Sequence, residues 1–150
     1  MKTGNSIKSK ILDTGNDNKL IFIRLIVGFI FISEGLQKYL FLQVYGPGFF
    51  QEIGFSHAFF WAYFTGAFEI FCGILVLCGL LTRLASIPLL IIMITAFIST
   101  KLPLIANKGF WTFLHESNTE FSLTLLIISL IIYGGGNLSV DLKILQSKNP

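Results

Sequence analysis

Apolar residues gather in four long runs separated by short polar breaks. The first extends from Leu20 to Phe41, 22 residues, long enough at about 1.5 Å per residue to cross a hydrocarbon layer of about 30 Å. A small-x-small cleavage pattern is missing, so it reads as a retained helix rather than a signal peptide. The second run covers Ala58 to Leu81, 24 residues. Thr82-Arg83 is a short hinge to the third, Leu84 to Leu102, with Pro88 in its first turn, where a missing N–H costs least. So short a hinge predicts an antiparallel hairpin. The fourth run, Phe121 to Tyr133, is brief. Counted from Asn118 it has 16 residues, or about 24 Å. Ser117-Asn118-Thr119-Glu120 has capping-box spacing, and Gly134-Gly135-Gly136 ends the helix. Tyr45-Gly46-Pro47-Gly48 predicts a turn, and residues 101–120 a polar loop whose Phe110 and Trp111 suit a membrane interface. Polar tails occupy residues 1–19 and 142–150, leaving 20–141 as the membrane domain. The expectation is an all-α, integral membrane four-helix bundle.

Composition agrees. Hydrophobic residues make up 53% of the chain and charged ones 13%, against about 25% charged in a soluble domain. This excludes a disordered chain, a disulfide scaffold and an ordinary soluble enzyme, and makes the lipid bilayer the first partner. The net charge of +3 comes without any run of cations or basic helix face, so nucleic acid is not an expected partner. The cations report orientation instead. With four spans, Lys2, Lys8, Lys10, Lys19, Arg83, Lys143 and Lys148 lie on the side of the termini, and Lys101 and Lys108 opposite. Seven against two predicts cytoplasmic termini. Cys72 and Cys78, about 120° apart around a helix, cannot close a disulfide within it and read as buried small hydrophobes. His57 and His115 fall outside the runs, and no metal-ligand spacing, nucleophile elbow or phosphate loop occurs.

The charges inside the runs carry most of the chemistry, because ionisable groups in a membrane usually face a bundle interior or cavity. On a helix, Arg24, Gly28, Phe31, Gly35 and Lys38 fall within about 40° of one line, with Glu34 about 80° from Arg24. In the second run, Ala62, Gly66, Glu69 and Gly73 form another stripe. The expectation is an interior polar site of Arg24, Glu34, Lys38 and Glu69, with Gly28, Gly35, Gly66 and Gly73 letting the two helices approach closely. A carboxylate at the depth of Glu69 needs a cationic partner or a proton. Arg24, Lys38 and, by sharing a proton, Glu34 are all candidates. Such a site either fixes helix register or works on protons, a quinone or a solute.

Several of these pieces, in order, resemble the DoxX family of small four-helix membrane proteins. They are Arg24-Leu25 with Gly28 and Phe31, Glu34-Gly35-Leu36-Gln37-Lys38, Glu69 with Gly73, Gly79-Leu80-Leu81-Thr82-Arg83, Glu120, and Gly134 to Asp141. The ending departs from the family pattern at Asn137 and Leu138. The resemblance implies a multi-pass protein of the bacterial cytoplasmic membrane. Some relatives are linked to redox work, as a thiosulfate:quinone oxidoreductase subunit or as the membrane partner of a thiol-handling enzyme. The leading functional expectation is an accessory or quinone-interacting component of a membrane redox system. Phe31 and Phe68 would supply walls for the ring, and Glu34 and Lys38 its polar contacts. The quinone is the one cofactor this reading implies, and a membrane or peripheral redox protein its partner, with self-association open. The alternatives are a small-solute or proton carrier and a non-catalytic structural subunit.

Overall fold

A computed structural model describes residues 17–147. The polar stretch with Lys2, Lys8 and Lys10 lies outside the described residues, as does Lys148. The first apolar run forms α1 (Leu20–Leu40), and the turn after it contains a one-and-a-half-turn helix, α2 (Pro47–Glu52). The second run forms α3 (Ala58–Cys78) and the third begins as α4 (Thr82–Ala96). The third does not stop at Leu102. It passes through a π-helical turn (Phe97–Lys101) into α5 (Leu102–Lys108), so one apolar helix runs for 27 residues. After a break at Gly109, where φ is +84°, come α6 (Phe110–Glu116), α7 (Asn118–Tyr133) and α8 (Val140–Ser147). No strand occurs among the described residues.

The chain is an all-α membrane protein, with three helices long and apolar enough to cross a bilayer and a shorter apolar fourth, α7. Consecutive long helices run antiparallel. α1 packs most extensively on α3, α3 on α4, α4 on α7, and α7 returns to α1. Their shared core holds Val27, Phe31, Cys72, Val76, Leu89, Met93, Leu123, Ile127 and Leu130. The outward faces are equally apolar, with Phe22, Phe29, Phe60, Phe71 and Phe121 exposed. A water-soluble protein would bury such faces; in lipid they lie at no cost.

Four local expectations are corrected. The hinge lies at Gly79-Leu80-Leu81 rather than Thr82-Arg83, because Gly79 (φ +68°) ends α3 in the left-handed conformation and Leu81 (φ +49°) precedes α4. α4 therefore starts early, and Pro88 falls inside it, leaving the Leu84 carbonyl without its usual donor. The region 101–120 is helical on both sides of Gly109 rather than a loop. α8 crosses the boundary drawn at residue 141, so residues 142–147 are helical.

Candidate functional site

The crossing of α1 and α3 sets the geometry of everything charged. A Cβ on Gly35 would stand 2.7 Å from the Gly66 carbonyl oxygen, and one on Gly66 3.3 Å from that of Gly35. One helical repeat away, Gly28 and Gly73 face each other at 3.0 and 3.1 Å by the same measure. A side chain at any of the four would push the helices apart. This register leaves charges at the two ends of the crossing, which have quite different surroundings.

At the end that carries both described termini, Arg24 is 3% exposed. Its Nε donates to the Val76 carbonyl at 3.0 Å and its Nη2 to that of Leu77 at 2.6 Å, in the last turn of α3. Its Nη1 donates to the carbonyls of Gly135 and Leu138, both at 3.0 Å. The guanidinium thus caps α3 and ties the glycine-rich turn after α7 to it. Asp141 completes the tie from the other direction. Its carboxylate accepts from the Leu81 N–H at 2.7 Å and from the Thr82 N–H and hydroxyl at 3.0 and 3.2 Å, covering the N-terminus of α4. Gly135 is required here, since a Cβ would stand 2.7 Å from Ser139 Cβ and 2.8 Å from the Thr82 hydroxyl. Arg24 is therefore not part of a common site with Glu34, Lys38 and Glu69. It shares their face but sits about 21 Å from Lys38 along α1 at the rise of an α-helix.

Those three residues meet at the far end, beside a cavity of about 630 Å³. Lys38 Nζ lies 2.7 Å from Glu69 Oε2, with the side chains 12% and 4% exposed. It also donates to the Glu34 backbone carbonyl at 3.4 Å. Lys38, at i+4 from Glu34, is thus turned across to α3, and the Glu34 carboxylate has no partner among the described residues. A second ion pair joins the π turn to α7: Lys101 Nζ lies 2.9 Å from Glu120 Oε1. Glu120 Oε2 is buried without a hydrogen-bond partner. All five charged side chains line the cavity, together with Thr65, Thr95, Ser99, Thr100 and Thr119. Phe31, Tyr45, Phe49, Phe50, Phe55, Trp61 and Phe64 add aromatic walls, several of them from α2 and the turn after it. Phe68 is not among them; it lies on the outer face of α3 against Phe64, ring centroids 4.8 Å apart.

Lys101 and Glu120 were missing from the sequence-derived site. Glu120 was read as part of a capping box, but the Ser117 side chain makes no cap and its hydroxyl is buried without a partner. The carboxylate reaches Lys101 in the π turn instead. The π turn places Lys101 and its neighbours on the cavity wall; such turns recur at functional sites. One signal was available. Thr95 and Ser99, four residues apart in an otherwise apolar run, mark a polar face leading toward Lys101. Elsewhere Cys72 is buried but Cys78 is exposed, so only the first is the small core residue expected. Among the described residues no three His, Cys, Asp or Glu converge as a metal site.

Comparison with known proteins bears on both ends of the molecule. The DoxX family model matches residues 19–102. An uncharacterized membrane protein of Mycobacterium tuberculosis is 41% identical, over 95% of this chain and 92% of its own length. CatD of Bacillus subtilis, whose name carries the word oxidoreductase, is 31% identical over 85% of this chain and 88% of its own. No solved structure matches.

Proposed function

The chain belongs to the DoxX family, and from that premise we propose that its far-end cavity binds a quinone and that the protein serves a membrane redox system as an accessory, quinone-interacting component. The observation that carries this reading is the cavity itself. At about 630 Å³ it is in the size range of small-molecule sites. Its walls are aromatic, and its polar groups come from α1, α3, α4, the π turn and α7, so a ring with oxygens at opposite ends meets polar groups from more than one helix. The name of the Bacillus subtilis relative supports a redox setting. We place the protein in a bacterial cytoplasmic membrane with the Arg24 end facing the cytoplasm. The cation asymmetry supports that orientation: Lys19, Arg83 and Lys143 stand at that end, Lys101 and Lys108 at the other.

Trp61 lines the cavity, whereas Trp111 is 81% exposed, and the chain has two tryptophans. In a Trp111→Phe background a short-chain quinone should therefore quench the remaining fluorescence saturably. Ala96→Phe, which fills part of the cavity, should remove the saturable component. Quenching that only rises in proportion to the quinone dissolved in the detergent, in both proteins, would reject the reading.

A further inference from the structure

We propose that the cavity selects the reduced, two-hydroxyl form of the ring, a hydroquinone, over the oxidised quinone; this rests on the quinone-site reading and specifies its ligand. The two forms differ in what they ask of a site. A quinone offers two carbonyl oxygens and needs donors. A hydroquinone offers two O–H groups and is held best by acceptors, above all by carboxylates, since hydrogen bonds to charged groups are the strong ones.

The cavity is rich in acceptors. Its charged lining comprises three carboxylates, Glu34, Glu69 and Glu120, against two ammonium groups. Both ammoniums are already turned onto carboxylates, at 2.7 and 2.9 Å. On one side the Glu34 carboxylate has no partner among the described residues. On the other, Glu120 Oε2 is buried and unpartnered. Three of the four lining threonines lean the same way. Thr65, Thr95 and Thr100 each donate their hydroxyl proton to a carbonyl of their own helix, at 2.8, 2.9 and 2.7 Å, which leaves only lone pairs toward the cavity. A buried carboxylate oxygen without a donor is expensive, and a ligand O–H would relieve it at Glu120; Glu34 is exposed, and its carboxylate is a free acceptor at the cavity lining. Glu34 and Glu120 line the same cavity from different helices, α1 and α7.

The test compares one short-chain ring in its two oxidation states, added anaerobically to the full-length protein in lipid nanodiscs. Each carboxylate-held O–H is worth about tenfold in affinity, so the hydroquinone should bind at least about tenfold more tightly. The bound couple's two-electron midpoint potential should then rise by about 30 mV per tenfold. Glu34→Gln, which has no partner to lose, should reduce the preference, and Glu34→Gln with Glu120→Gln should abolish it. Equal binding of both forms, or tighter binding of the quinone, would overturn the inference while leaving a quinone site in place. A preference that survives both substitutions would overturn the assignment to these carboxylates. Saturable binding of neither form would remove the quinone-site reading and the inference together.

Discussion

The two ends of the α1–α3 crossing use buried charge in opposite ways. At the Arg24 end the buried guanidinium and the Asp141 carboxylate are answered from within: four carbonyls accept from the one, and three donors converge on the other. Glycine is needed where the backbones meet. At the other end two ion pairs are made, yet a carboxylate oxygen is left bare and a cavity remains among them. A saturated network fixes a fold. A network with spare acceptors around a void is poised to hold something. The contrast teaches that a charge inside a membrane helix marks function only when its hydrogen-bonding capacity is not already spent.

Substitutions at the saturated end should have the largest effect on stability. Arg24→Ala strands four carbonyls and unties the turn after α7, and should cost about 4–5 kcal/mol, read as a sharp loss of thermal stability in detergent. Arg24→Lys should recover only part of it, because an ammonium cannot reproduce the planar fork. Full recovery by lysine would show that charge rather than geometry holds this end.

Glu69→Gln comes next. It leaves Lys38 buried without its counter-charge and should cost about 3 kcal/mol, whereas Lys38→Met with Glu69→Met together should be much milder. An unchanged melting temperature for Glu69→Gln would mean that no ion pair is present and that the carboxyl carries a proton. Asp141→Ala should cost about 1–2 kcal/mol, the usual loss for a helix N-terminal cap. A larger loss, equal to that of Arg24→Ala, would show the two residues to be one cooperative unit.

The smallest effect is expected at the more exposed of the two ion pairs. The Lys101–Glu120 pair is 17% and 22% exposed at its side chains, and Lys101→Gln should change stability by about 1 kcal/mol or less while weakening ligand binding. A double-mutant cycle on thermal stability measures the pair directly. A coupling as large as that of Lys38 with Glu69 would make the far end structural too and erase the contrast between the two ends.

Much of this architecture is written locally. Apolar runs of spanning length, the turn glycines and the stripes of Gly28, Gly35, Gly66 and Gly73 follow from hydropathy and helical periodicity, which act over a few residues. The same reasoning set Arg24 and Lys38 on one line of a helix with Glu34 about 80° away, and joined Arg24 to a group that it does not meet. A helical wheel keeps angle and discards height. Only the packing of α3 and of the turn after α7 determined that Arg24 meets backbone carbonyls while Lys38 meets Glu69. The partnership of Lys101 with Glu120 was further out of reach. It spans two short helices and depends on a π turn and on a serine that does not cap, each decided by how α4 and α7 pack. Local sequence determined the helices and their apolar faces, because those depend on short-range periodicity and on transfer into lipid. Tertiary structure alone decided which charges are spent on one another and which remain around a cavity, because that depends on distances between residues far apart in the chain.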